Sequence, residues 1–335
     1  SLHVPKDILE ADYEKYKDKP LILYCKKGET SAETVQFLKE KNIEAKSLKG
    51  GYLAWLMESM KQEEEQQDLY LDIEQSIRKK FKKSIWCKFT KAVREYELVK
   101  VGDKIAVCIS GGKDSMLLAR MLKMAKDYRL YDFSLEYIMM NPGYMERDMK
   151  QMEFNNLLFD IPVSYFNTNV FDDVDEIGKN PCFFCSRMRR GHLYRKAKEL
   201  GCNKIALGHH YDDVIETTLM SMLYGAQART MLPVIKSDNI EDMKLIRPMY
   251  LIREDDINLW KNRNNLNFAK CACRLNTKDG GEDTMRLRTK KLIRDLTNEN
   301  PAVPANIFGS MSGIDLEHVL SYKIDGVTHS ILDDM

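Results

Sequence analysis

The chain has 335 residues, 44% hydrophobic and 31% charged, a length that suggests about two domains and a composition that excludes a disordered protein. Its 52 basic and 51 acidic residues leave a net charge of +1, which excludes a protein basic overall but not a segregated basic face. No apolar run approaches the ~18 residues of a membrane span, and no signal-type segment follows the N-terminus. Ser1 stands where an initiator Met would, so the start reads as processed or cropped. Eight cysteines are too sparse for a secreted disulfide scaffold. Two close pairs, 182/185 and 271/273, point to metal or redox chemistry in a reducing, cytoplasmic setting.

In chain order, 21–25 reads as a buried strand, 26–30 as a polar turn, and 31–41 as a helix with Ala32, Val35 and Leu38 on one face. A short strand at 44–48 and a Gly50-Gly51 turn complete a β-loop-α-β unit. Its ~57 residues are few for a self-sufficient core. A charged connector is expected over 58–97. Glu63, Glu64, Glu65, Asp68, Asp72 and Glu74 come first. Then 76–94 carries no acid but holds Arg78, Lys79, Lys80, Lys82, Lys83, Lys88, Lys91 and Arg94. Phe81, Ile85, Phe89 and Val93 recur every fourth residue, which fits an amphipathic helix with a basic outer face. Such a face is either a solvated connector or an RNA contact, with Lys79, Lys82 and Lys83 as the candidates.

From residue 98 onward strands at 105–109, 134–140, 162–166, 203–207 and 244–247 alternate with helices near 114–126, 145–158, 184–200, 211–224 and 253–263. That alternation predicts a doubly wound, mostly parallel α/β sheet filling 98–335.

The strongest chemical signal is Ser110-Gly111-Gly112-Lys113-Asp114-Ser115, placed between a strand and a helix. Glycines at such a turn let backbone N–H groups approach an anion, and the helix N-terminus favours negative charge. The spacing is not that of a Walker loop. Next, Cys182 and Cys185 stand three apart before Arg187, Arg189 and Arg190. They suit a metal or cluster edge, a redox dithiol or a structural site. A third ligand is available from Cys271 or Cys273, and the spacing favours Cys273. Gly208-His209-His210-Tyr211-Asp212-Asp213 follows a strand at the edge where open α/β sheets place their sites. Its two carboxylates can hold Mg²⁺ or a ribose, or one can cap the helix. His209 and His210 read as packing or supporting residues. Cys87, Cys108 and Cys202 read as ordinary cysteines.

Ser110–Ser115 resembles the PP-loop of the ATP pyrophosphatases, which cleave ATP to AMP and pyrophosphate. That resemblance implies β- and γ-phosphate binding by the loop and a catalytic position for Asp114. The ordered set S-G-G-K-D-S, C-x-x-C-S-R-x-R-R-G, G-H-H-x-D-D, Tyr224-Gly225, Ile246-Arg247-Pro248 and Arg253-Glu254-x-x-Ile257 resembles the tRNA 2-thiocytidine synthetases over about Trp86 to Leu320. Members hold a [4Fe-4S] cluster on three cysteines, which implies Cys182, Cys185 and Cys273 here. Cys271-Ala272-Cys273 departs from the family's C-x-x-C, and 276–284 reads as an insertion. Cys25-Lys26-Lys27-Gly28-Glu29-Thr30-Ser31 and Gly50-Gly51-Tyr52-x-Ala54-Trp55 resemble the active loop and later motif of a rhodanese. A partial rhodanese-like domain over 1–57 is therefore expected, with Cys25 as a persulfide carrier.

These resemblances imply an enzyme of tRNA thiolation. ATP adenylates a pyrimidine carbonyl oxygen, that of cytidine C2, and sulfur delivered through the cluster displaces AMP. Catalysis falls to Asp114, Lys113, Asp212 and Cys25. ATP binding falls to 110–115, Arg189, Gly208, Asp212 and Asp213. RNA binding falls to Lys79, Lys82, Lys83, Arg187 and Arg190, while the cofactors are ATP, Mg²⁺ and the cluster. Expected partners are tRNA, a second copy of the chain, and a sulfur donor, either a cysteine desulfurase persulfide or sulfide. The alternatives are thiolation of another nucleoside or of a small molecule, a non-catalytic sulfur carrier or RNA-binding protein, and a structural zinc site on four cysteines.

Overall fold

The computed structural model describes residues 4–17, 20–52, 54–55, 58, 71–168, 181–237, 240, 242–268 and 284–334, with the side chains of 181–187 and 333–334 outside that description. It divides into two compact units, Ser1–Leu71 and Asp72–Met335.

In the first unit, strands β1 (Leu21–Leu23) and β2 (Ala45–Ser47) pair in parallel, Leu21 opposite Ala45, with the Glu29–Glu40 helix crossing between them. Val35, Leu38, Ile43 and Ala45 pack with Leu9 from the Lys6–Ala11 helix into a small core. The helix stops where Asn42 turns to φ +59°, and the Ile43 N–H closes the turn onto the Leu38 carbonyl.

The second unit contains β3 (Lys104–Ile109), β4 (Ser134–Asn141), β5 (Val163–Asn167), β6 (Lys204–Ala206), β7 (Val234–Lys236) and β8 (Lys244–Ile246). They form one sheet in the order β5-β4-β3-β6-β8-β7, parallel except for β7. The five strands expected from the pattern are all present, and the doubly wound architecture follows. β3 is buried along most of its length, as a central parallel strand covered on both faces must be. The chain runs outward from β3 through β4 to β5 and then returns to β6 on the other side of β3. The strand order therefore reverses between β3 and β6, and at such a reversal the loops diverge and leave a crevice.

Residues 72–97 pack into this unit. Ile73, Ile77, Phe81, Ile85, Phe89 and Val93 join the main core with Leu117, Met121 and Trp260. The single helix expected over 76–94 is interrupted: helix runs over 71–78, Lys82–Trp86 is a π turn, and Cys87–Glu95 is α-helical. The spacing explains the break. In an α-helix of 3.6 residues per turn, a period-four stripe drifts by about 40° at each step. The wider π turn, with the Trp86 N–H reaching the Phe81 carbonyl, returns the stripe to the core. Strand β7, the helices Met285–Glu299 and Val303–Gly309, and the β9 (Ser321–Ile324)–β10 (Val327–Ser330) hairpin add to the elements read from the sequence pattern. Among the described residues no helix is long and apolar enough to cross a membrane.

Candidate active site

The turn after β3 leads into the Lys113–Asp127 helix, whose N-cap is Gly112. The Ser115 hydroxyl accepts from the Ser110 N–H at 3.1 Å and donates to the Gly112 carbonyl at 3.0 Å, which locks the loop across its mouth. Lys113 Nζ lies 3.1 Å from Asp114 Oδ1. That oxygen is buried and accepts no hydrogen bond among the described residues, leaving a lone pair for a ligand.

The turn after β6 meets this loop. A Cβ on Gly208 would lie 3.1 Å from the Asp114 carbonyl carbon and the Ser115 nitrogen, so a larger residue would press the two turns apart. Beyond it the Tyr211–Gly225 helix begins, and Asp213 Oδ2 accepts from the His210 N–H at 3.0 Å. One of the aspartate pair thus acts as the helix cap. The other, Asp212, accepts the Glu254 N–H at 2.6 Å and pairs with Arg253 Nη2 at 3.0 Å. Arg253 also stacks over the Tyr211 ring, whose hydroxyl donates to the Pro304 carbonyl at 3.0 Å.

Glu254 joins these elements. Its carboxylate accepts Lys113 at 3.3 Å and is hydrogen-bonded to Lys290 of the Met285–Glu299 helix. Burial alone would raise its pKa, but the Lys290 hydrogen bond and the Lys113, Lys290 and His210 charges outweigh that and hold it at about 2. Arg286, one turn before Lys290, pairs with Glu216 at 3.1 Å and approaches Asp213 at 3.7 Å. Arg247, just after β8, donates Nε to His209 Nδ1 at 3.3 Å. Because arginine can only donate, the neutral His209 carries its proton on Nε2. Burial, aided by the charges of Arg247 and Arg286, lowers its pKa to about 4 although Asp213 pulls the other way, so it is neutral at pH 7. Glu254, Lys290, Arg286 and Arg247 were missed as site residues. The Arg253-Glu254-x-x-Ile257 pattern was the only signal for Glu254.

Cys182 and Cys185 fall in the first turn of the Pro181–Glu199 helix. Positions three apart share a helix face, and two cysteines so spaced have the donor chemistry of a metal–sulfur centre. Their side chains, the side chain of Arg187, and Cys271 and Cys273 lie outside the described residues. Arg189 Nη2 reaches the Tyr144 hydroxyl at 3.5 Å, near the carboxyl end of β4, and the neighbouring Arg190 is exposed. Lys79, Lys82 and Lys83 are exposed on the outer face of the 72–97 segment, with Lys79 hydrogen-bonded to Gln75 at 3.0 Å.

In the first unit, Cys25 ends the β1 turn at the N-terminus of the Glu29–Glu40 helix. The Gly28 N–H donates to its sulfur at 3.1 Å, and the Ser31 hydroxyl lies 3.6 Å away. These donors, Ser31 foremost, lower the thiol pKa to about 7 against a small desolvation cost. Gly51, at φ +67°, lies so close that a Cβ would stand 2.4 Å from the Cys25 carbonyl oxygen. The Gly50-Gly51 motif therefore shapes this cradle. In contrast, Cys108 is buried, which together with Cys202 raises its pKa to about 12.

Residues 79–278 match the PP-loop domain family, and residues 1–58 match the rhodanese-like domain family. The chain is 39% identical over 236 residues to tRNA-cytidine(32) 2-sulfurtransferase 1 of Francisella philomiragia, covering 69% of this chain and 90% of that protein. It is 38% identical over 244 residues to tRNA-cytidine(32) 2-sulfurtransferase 2 of Francisella tularensis subsp. tularensis, covering 70% and 93%. Its fold is similar to that of the U34-tRNA thiolase NcsA from Methanococcus maripaludis, solved with its [4Fe-4S] cluster. The TM-score is 0.54 at 24% identity, over 69% of this chain and 78% of that one. With its PP-loop at the sheet's switch point and relatives of this identity along most of its length, the chain belongs to the PP-loop family, among the tRNA-cytidine 2-sulfurtransferases.

Proposed function

We propose that this protein is an ATP-dependent tRNA sulfurtransferase that replaces the C2 oxygen of a cytidine with sulfur. The observation that carries this reading is the meeting of Lys113-Asp114 and Asp212-Asp213 at one end of the sheet, tied together through Glu254. A pyrimidine carbonyl carbon is a poor electrophile and its oxygen a poor leaving group. Transfer of AMP from ATP to that oxygen corrects both faults: the oxygen attacks the α-phosphorus, and pyrophosphate departs. Sulfur at the sulfide level then adds to C2, and AMP leaves with the original oxygen.

In this chain the N–H groups of the 111–113 turn and Lys113 receive the β- and γ-phosphates, where charge accumulates as pyrophosphate forms. Asp114, whose carboxylate is paired with Lys113, is the residue that would share Mg²⁺ with the phosphates. Among the described residues no three His, Cys, Asp or Glu side chains cluster as a metal site. Magnesium is usually held by one or two carboxylates plus phosphate oxygens. Arg189 is the residue we assign to the α-phosphate, and Gly208 keeps the loop of Asp212 against the PP-loop. Cys182, Cys185 and Cys273 would hold a [4Fe-4S] cluster, which when bound supplies an iron with an open position for sulfur. Cys25 fits the first sulfur step: its thiolate attacks the outer sulfur of a donor persulfide, such as that of a cysteine desulfurase. A Cys25 persulfide forms and the donor thiolate leaves. A second thiol then releases hydrosulfide and is left as a disulfide with Cys25. The exposed lysines at 79, 82 and 83, with Arg187 and Arg190, supply the phosphate contacts for tRNA.

The test is mass spectrometry of tRNA nucleosides from cells with and without the gene, followed by reconstitution with tRNA, MgATP and sulfide. Loss of 2-thiocytidine together with tRNA-dependent AMP release supports the reading. Unchanged tRNA nucleosides with thiolation of a small molecule overturn it.

A further inference from the structure

Lys290 projects from the Met285–Glu299 helix onto the same carboxylate that holds the PP-loop lysine. Its ammonium is hydrogen-bonded to Glu254 Oε2, while Lys113 Nζ is 3.3 Å from Oε1. The Glu254 side chain is only 20% exposed, yet Lys290 is 39% exposed and Lys113 21%. Two ammonium groups crowded onto one half-buried carboxylate repel each other, an arrangement worth keeping where a larger anion is to be received. Their remaining partners differ. Lys113 also pairs with Asp114 at 3.1 Å, whereas Glu254 is the one acid paired with Lys290 among the described residues. An ammonium has three N–H donors, so Lys290 keeps donating capacity on its open side. Arg286, on the same helix face one turn earlier, is committed to Glu216 and Asp213. It anchors the helix and leaves Lys290 as the cation bonded to Glu254.

Resting on the nucleotide-site reading above, we propose that Lys290 is a second phosphate-binding cation. It contacts the pyrophosphate end of ATP beside Lys113, with Glu254 as the counter-ion the two lysines share. The C-terminal helix thereby becomes part of the nucleotide site, and a helix from outside the PP-loop reads whether a polyphosphate or a monophosphate is bound.

The experiment uses the full chain and measures binding of MgATP, inorganic pyrophosphate and AMP by calorimetry. Lys290→Gln is expected to weaken MgATP and pyrophosphate by about tenfold, the worth of one charge-assisted hydrogen bond, and to leave AMP within about twofold. Lys290→Arg should retain most of the affinity. Equal weakening of AMP and MgATP would make Lys290 a structural tether, and no change in either would remove it from the site; both outcomes overturn the proposal. Lys113→Ala separates the two claims. If it too binds MgATP normally, the nucleotide-site reading fails, whereas a defect in Lys113→Ala alone sinks only Lys290. Acetylation footprinting of the unaltered chain gives a readout free of folding effects. Pyrophosphate should shield Lys290 and AMP should not, and labelling of Lys290 that ignores pyrophosphate also overturns the proposal.

Discussion

Cys25 and Cys108 have the same side chain and opposite chemistry. Four donors, the Ser31 N–H and hydroxyl with the Gly28 and Lys27 N–H groups, stabilise the Cys25 thiolate and bring its pKa to about 7, whereas burial raises Cys108 to about 12. Alkylation of Cys25 by iodoacetamide should therefore rise with pH through a midpoint near 7, and peptide mass spectrometry should find Cys108 unmodified over the same range. Ser31→Ala removes the hydroxyl of the strongest stabiliser and should move the midpoint upward; an unmoved midpoint would show that the backbone donors suffice. At Gly208 the decisive quantity is distance. Alanine there places a Cβ 3.1 Å from the backbone of Asp114 and Ser115, and backbone cannot rotate away as a side chain can. Gly208→Ala should cost about tenfold or more in kcat/KM for ATP, since small misplacements of reacting groups cost that much. Its melting temperature should change little. For the cysteines, Cys273→Ala should abolish the brown chromophore of anaerobically purified protein, and Cys271→Ala should keep it. The reverse result would exchange the third ligand.

At the scale of elements, the 72–97 segment has two separable faces. Phe81, Ile85 and Phe89 are buried in the core, while Lys79, Lys82 and Lys83 are exposed. Replacing these three lysines with glutamine should leave folding intact and weaken tRNA binding. The slope of log affinity against log salt should flatten by roughly 0.7–0.9 for each phosphate that is no longer neutralised. Identical slopes for wild type and variant would return this face to solvent. The same segment is tied to the sheet's helices by the ion pair of buried Arg120 with Glu74, so its basic face is held in place by the core.

Across the whole second unit, the two ends of the sheet have different tasks. At the end opposite the site, Lys204 on β6 pairs with Asp103 at 2.6 Å, with side chains only 5% and 6% exposed. Lys204 also donates to the Leu98 carbonyl, and Asn203 donates to Asp103. Burial opposes ionisation of Asp103, but the Lys204, Lys100 and Asn203 donors prevail and hold its pKa below the usual range. Because the native value is lowered, its stabilisation is complete above about pH 4 and is lost as pH falls through the native pKa. Lys204→Met leaves a buried, uncompensated carboxylate and should cost about 3 kcal/mol in urea denaturation, most of which adding Asp103→Asn should restore. A loss below about 1 kcal/mol would mean that water reaches the pair.

The order of strands and helices was legible in the sequence because parallel strands buried on both faces read as apolar runs, and the glycine turn after β3 stands out between two such runs. The PP-loop, the aspartate pair and the Cys25 loop were legible for a related reason. Each is local, lying within six or seven consecutive residues at a strand end, where backbone donors and side chains come from the same turn. Tertiary structure alone decided what those turns meet. Glu254 lies 141 residues from Lys113 in the chain, yet bonds it, and Lys290 reaches the same carboxylate from a helix farther along the chain. It also decided which of two adjacent aspartates caps the helix and which bonds Arg253 and the Glu254 N–H. Periodicity reports only which face of an element is buried. Which charged groups converge on one carboxylate depends on how distant elements pack, and no local pattern records that.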